Sequence, residues 1–134
     1  MVIKKTFPAN DQEMDTAIGF IEQELEYVNF PAALMVKIPV ACEEVFVNIC
    51  HYAYPDSLGD VTIEISRDSN RFQVEFIDSG IPFNPLAHEK TDISVPIVDR
   101  PIGGLGIFMV RKWADEVSYR YEDGQNILTI VKKC

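Results

Sequence analysis

Val61-Thr62-Ile63-Glu64-Ile65-Ser66-Arg67-Asp68-Ser69-Asn70-Arg71-Phe72-Gln73-Val74-Glu75-Phe76-Ile77-Asp78-Ser79-Gly80 is the stretch on which the fold turns. Val61, Ile63 and Ile65 alternate with Thr62, Glu64 and Ser66, which gives one apolar and one polar face at the period of a half-buried strand. Phe72, Val74 and Phe76 alternate with Gln73 and Glu75 in the same way. The polar run Arg67-Asp68-Ser69-Asn70 between them predicts a turn, so the two segments are expected to pair as an antiparallel hairpin. The second strand ends at Asp78-Ser79-Gly80, where a carboxylate can accept a hydrogen bond from an adenine amino group and the glycine lets the base approach the backbone. The same tripeptide also suits an ordinary turn.

The helices that cover the apolar face are read upstream. Met14, Ala17, Ile18, Ile21, Leu25 and Val28 recur at helical spacing among Gln12, Glu13, Glu22, Glu24 and Glu26, with Asn10-Asp11 as a cap signal and Pro31 beyond the end. Before them, Val2 to Phe7 reads as a short strand that Pro8 stops. Residues 32 to about 53 form a second helical region with the stripe Leu34, Ile38, Ala41, Val45, Ile49 and Tyr52. Pro39 would remove a hydrogen bond deep in a helix, so the main helix is predicted to begin near Val36 to Ile38, with Pro39 in its first turn.

Downstream, residues 81 to 102 carry Pro82, Pro85, Pro96 and Pro101 without a sustained period, which predicts a long functional loop that acts as a lid. A helix from about Leu105 to Ala114 and two strands, Val117 to Tyr121 and Asn126 to Lys132, complete the reading. The expected architecture is an α/β two-layer sandwich: a mixed, mainly antiparallel sheet with helices on one face, in a single domain over residues 1–134.

The sequence has 134 residues, 47% of them hydrophobic, enough for one core without metal or disulfide staples. A formal net charge of −9 disfavours nonspecific attraction to nucleic acid or to an anionic membrane. The N-terminal residues carry no signal-peptide core and no stretch approaches the length of a membrane span, so a cytoplasmic protein is expected. Cys42, Cys50 and Cys134 include no Cys-x-x-Cys pair and read as reduced thiols. His51 and His88 lack the companions that a zinc site needs.

Within this frame, Glu44 and Asn48 stand four residues apart on the second helix, so their side chains are neighbours at about 5–6 Å between Cβ atoms. An amide oxygen of Asn48 is a suitable hard ligand for Mg²⁺, and Glu44 can accept a proton from an attacking nucleophile. The pair alone also fits an ordinary solvated helix face. Gly103-Gly104-Leu105-Gly106, just before Ile107-Phe108-Met109-Val110-Arg111, can present backbone N–H groups and a helix N-terminus to phosphate, or simply start a helix with packing glycines. It is neither a Gly-x-Gly-x-x-Gly fingerprint nor a P-loop.

Taken in order, Glu44-x-x-x-Asn48, Asp78-x-Gly80-x-Pro82-Phe83 and Arg100-Pro101-Ile102-Gly103-Gly104-Leu105-Gly106-Ile107 resemble the three boxes of the Bergerat-fold (GHKL, histidine-kinase-like) ATPases. Within that group they resemble specifically the bacterial anti-sigma factor serine/threonine kinases, and the resemblance extends to Tyr54-Pro55 and to Asp115-Glu116-Val117-Ser118-Tyr119. It implies ATP and Mg²⁺ as cofactors, with Glu44 as base, Asn48 as metal ligand, Asp78 and Gly80 as adenine contacts, and Gly103, Gly104, Leu105 and Gly106 as lid and phosphate cradle. Arg100 is a further phosphate contact or a solvated loop residue, and Thr129 looks like the family's threonine that supports the adenine site or an ordinary strand threonine. The resemblance further implies phosphorylation of a small antagonist protein and regulation of a sigma factor by partner switching. A homodimer is also compatible with it. The alternative is a nucleotide-controlled protein-binding module without phosphotransfer. At Tyr52 some members carry a basic or imidazole residue, so a phosphate contact there is weaker in this chain.

Overall fold

The computed structural model describes residues 1–55, 57–88 and 110–134. Five strands, β1 (Val2–Pro8), β2 (Asp60–Arg67), β3 (Arg71–Asp78), β4 (Glu116–Glu122) and β5 (Gln125–Lys133), form one sheet in the order β1-β2-β3-β5-β4. All four pairings are antiparallel, so the mixed element expected from sequence is not found among the described strands, while the α/β sandwich with a mainly antiparallel sheet is. The β2–β3 hairpin pairs Val61 with Asp78, Ile63 with Phe76 and Ile65 with Val74, and so collects the apolar period of both strands on one face. β5 adds Leu128 and Ile130 to that face, opposite Phe76 and Val74.

Two helices, α1 (Met14–Leu25) and α2 (Ala32–Asn48), supply the second layer. Ala17, Ile21 and Leu25 from α1 and Ile38, Ala41, Cys42, Val45 and Phe46 from α2 share a buried core with the apolar residues of β2 and β3. The opposite face of the sheet is polar where it is hydrogen-bonded across strands, as in Thr6 with Thr62 (2.8 Å) and Thr129 with Glu75 (2.8 Å). Asn10 does act as a cap: its Oδ1 accepts from the Glu13 N–H (3.2 Å) at the short 3₁₀ turn Asp11–Glu13 that leads into α1.

The start of α2 departs from the sequence expectation. The helix begins at Ala32, so Pro39 lies in its interior and is buried. The backbone N–H groups of Leu34 and Met35 both bond to the Pro31 carbonyl (3.0 and 3.3 Å), which nucleates the helix more than a turn before the proline. Pro39 then forgoes the bond that its N–H would have given to Met35. Burial of Ile38, Ala41 and Cys42 around it favours continuing the helix over breaking it.

After Asn48 the chain widens into a π-helical turn, Ile49–Ala53. The change of winding takes Tyr52 off the apolar stripe; it is 38% exposed and stacks on Phe83 at 5.5 Å between ring centroids. Phe46, which the stripe omitted, is fully buried in its place.

Candidate functional site

Where the C-terminal end of α2 meets the ends of β3 and β5, a cleft opens to solvent, with Asn48, Asp78, Phe83, Tyr119 and Asn126 among its lining. Three of its residues are the buried polar side chains among the described residues: Asn48 (8% exposed), Asp78 (5%) and Asn126 (5%). Polar groups are retained at such depth only with partners or a ligand.

Asp78 reaches the cleft because it ends the inward-facing series Phe72, Val74, Phe76, Asp78 of β3. Its Oδ1 accepts two hydrogen bonds, from the Gly80 N–H (2.9 Å) and from Asn126 Nδ2 (2.9 Å). Burial pushes its carboxyl above the ordinary value, and those two donors partly oppose the rise. Tyr54 fixes the same corner: its hydroxyl donates to the Asp60 carbonyl (2.6 Å) and accepts from the Ser79 N–H (2.8 Å). Gly80 lies directly against the π turn, where a Cβ would overlap the carbonyl oxygen and methyl of Ala53, and the next residue, Ile81, donates its N–H to that same carbonyl (2.9 Å). The requirement for glycine here is close approach to protein backbone.

Asn48 closes the other side of the cleft, and its Oδ1 is a buried oxygen with no hydrogen-bond partner among the described residues. Glu44 stands one turn earlier on α2, half-buried, and is not part of the cleft lining. Burial raises its carboxyl above the ordinary value, which makes its ionised form a stronger base.

Thr129 is placed elsewhere. The pairing of Asp78 with Asn126 and of Glu75 with Thr129 puts Thr129 on the face away from the helices, where its hydroxyl donates to Glu75 Oε2 (2.8 Å). Because successive strand residues point to opposite faces, the residue that β5 aims at Asp78 is Asn126. Thr129→Val is therefore expected to cost about 1 kcal/mol or less in denaturant unfolding while leaving any Mg-ATP-induced rise in Tm unchanged. Loss of that rise in the variant would return Thr129 to the site. Arg100, Gly103, Gly104, Leu105 and Gly106 lie outside the described residues, as do most of the expected lid and most of the expected third helix, of which residues 110–113 are helical.

Asn126, Tyr119 and Phe83 form the part of the site that sequence reasoning missed as a functional unit. Asn126 Oδ1 accepts from the Phe83 N–H (3.0 Å) and from the Tyr119 hydroxyl, and its Nδ2 donates to the Ile81 carbonyl (2.8 Å) as well as to Asp78. The available signal was an asparagine opening the inward series Asn126, Leu128, Ile130, but its partner is 48 residues away in sequence.

The family model of the histidine kinase-like ATPase domain matches residues 7–132. Among curated proteins, the serine-protein kinase RsbW of Bacillus mycoides strain KBAB4 is 26% identical over 98 residues, covering 70% of this chain and 61% of that protein. RsbW of Bacillus thuringiensis strain Al Hakam is 28% identical over 93 residues, covering 66% and 58%. The alignments thus span about three fifths of these relatives' length. Among solved structures, the histidine kinase domain of the blue-light activated histidine kinase from Erythrobacter litoralis EL346 superposes with a TM-score of 0.60 at 17% identity, over 90% of this chain and 60% of that one, a likeness of fold. With a family match that runs almost from end to end, this chain belongs to the histidine kinase-like ATPase domain family.

Proposed function

We propose that this chain binds Mg-ATP in the cleft between α2 and the sheet and transfers a phosphoryl group to a serine or threonine of a small antagonist protein, thereby regulating a sigma factor by partner switching. The observation that carries the reading is the buried Oδ1 of Asn48, without a hydrogen-bond partner among the described residues, in the same cleft as the buried carboxylate of Asp78. Leaving a buried oxygen unsatisfied costs about 1–3 kcal/mol, so its retention calls for a ligand, and an amide oxygen is a hard donor of the kind Mg²⁺ takes.

The residues present fit the nucleotide. Asp78 offers an acceptor for an exocyclic amino group, since both of its described hydrogen bonds fall on Oδ1. When bound, Mg-ATP supplies the transferable phosphoryl group and the charge that offsets the phosphates. Glu44 takes the proton of the attacking hydroxyl, a role suited to a carboxylate whose basicity burial has raised. Arg100 and the Gly103-Gly104-Leu105-Gly106 turn are assigned to the phosphates on the strength of the sequence boxes. The names of the RsbW relatives support serine as the target class. A single domain over residues 1–134 and a cytoplasmic location complete the proposal; among the described residues no helix is long and apolar enough to cross a membrane. A second copy of the chain is a further candidate partner.

One observation favours the second reading, a nucleotide-controlled binding module without phosphotransfer: Glu44 does not line the cleft. Incubation with γ-labelled ATP and small regulator proteins encoded beside this gene separates the two. Label on a regulator serine or threonine is the expected result. ATP-dependent binding of a regulator with no label transferred would establish the module instead.

A further inference from the structure

The amide of Asn126 can sit in one orientation only. The Phe83 N–H is solely a donor, so the atom it meets is the amide oxygen; the Ile81 carbonyl is solely an acceptor, so the atom it meets is the amide nitrogen. The Tyr119 hydroxyl supplies a second donor to the same oxygen. The nitrogen's remaining proton therefore points at Asp78 Oδ1, which already receives the Gly80 N–H. An oxygen that receives two N–H donors holds no proton of its own, and such bonds favour the ionised carboxylate. Asp78 Oδ2 carries no hydrogen bond among the described residues. In an ionised carboxylate that atom accepts and cannot donate.

Resting on the nucleotide-site reading above, we propose that Asn126 is a specificity-determining positioning residue: by donating to Asp78 Oδ1 from an amide pinned on its other sides, it keeps Asp78 an acceptor. The cleft then takes a base bearing an exocyclic amino group and rejects one presenting a carbonyl at that position. Without Asn126, burial favours the protonated form of Asp78, and a protonated Oδ2 would donate to a carbonyl. Among the described residues, the other titratable groups beside Asp78 are Tyr54 and Tyr119; burial raises both phenols, so neither competes for the role at neutral pH.

Inosine triphosphate tests this directly, because it carries a carbonyl where ATP carries the amino group. Dissociation constants for Mg-ATP and Mg-inosine triphosphate are measured by calorimetry on wild type, Asn126→Ala and Thr129→Val. Wild type is expected to favour ATP strongly, Asn126→Ala to lose about tenfold or more of that ratio, and Thr129→Val, on the same strand but the opposite face of the sheet, to keep it. An unchanged ratio in a folded Asn126→Ala overturns the inference while leaving the nucleotide site standing. Wild type that binds neither nucleotide overturns the nucleotide reading and the inference together. Should Asn126→Ala not fold, the ¹³C carboxyl shift of Asp78 in the wild-type protein decides: an ionised group at pH 7 is expected, and a protonated one overturns the inference.

Discussion

Glu44→Ala should lower phosphoryl transfer by at least about 10², equivalent to about 2.7 kcal/mol of transition-state stabilisation, while the affinity for Mg-ATP stays near that of wild type. The separation follows from geometry: Glu44 lies one turn from Asn48 but outside the cleft lining, so removing it takes away the proposed base and leaves the proposed nucleotide contacts in place. Single-turnover transfer of label to the partner, beside calorimetric ATP binding, reads the two quantities separately. The rate profile gives a further sign. Burial holds the Glu44 carboxyl above its ordinary value of 4.5, so the acid limb of the wild-type profile should lie above that pH and vanish in the variant. The effect on stability runs the other way. A carboxyl whose folded-state pKa is raised contributes stability that is fully present below the ordinary value and is lost as pH rises through the folded-state value. Transfer at the wild-type rate in Glu44→Ala would remove Glu44 from the chemistry and favour the binding-module reading.

Mg-ATP at a hundredfold excess over its dissociation constant should stabilise the wild-type fold by about 2.7 kcal/mol, because a ligand bound only by the native state shifts unfolding by mass action. Asp78→Asn should abolish most of that gain. The amide oxygen of an asparagine at 78 can still accept from Gly80 and Asn126, as Asp78 Oδ1 does, so the corner of the sheet keeps its bonds. The atom left for the ligand then becomes an N–H donor facing an amino donor, two like groups with no bond between them. Thermal melts with and without Mg-ATP measure the difference. A full ligand-induced shift in the variant would place the base elsewhere.

The hairpin was legible because its information is local: a period of two in Val61 to Ile65 and in Phe72 to Phe76, with a polar turn between, leaves little choice of face. Asn48 and Asp78 were legible for a related reason, each standing at the end of an element whose pattern could be read. What could not be read was what depends on pairing across the chain. Thr129 and Asn126 are three residues apart on one strand and point to opposite faces. Which of them meets Asp78 is settled by the β3–β5 register, and no local signal carries that. Pro39 misled for the opposite reason, because a local rule about proline was outweighed by tertiary burial on both sides of it. Tyr54 was visible only as part of a resemblance. Its work of joining the Asp60 carbonyl to the Ser79 N–H depends on three segments meeting in space.

The π turn between Asn48 and the Ala53 carbonyl sets a gauge for the whole cleft. At one end it carries the buried amide oxygen of Asn48; at the other it receives Gly80 and Ile81, which fix the segment beside Asp78. Five residues of unusual winding therefore measure the interval between the Asn48 and Asp78 ends of the cleft, and an α-helical residue step is about 100° of rotation. Adding or removing one residue there would swing one end of the site around the helix axis relative to the other.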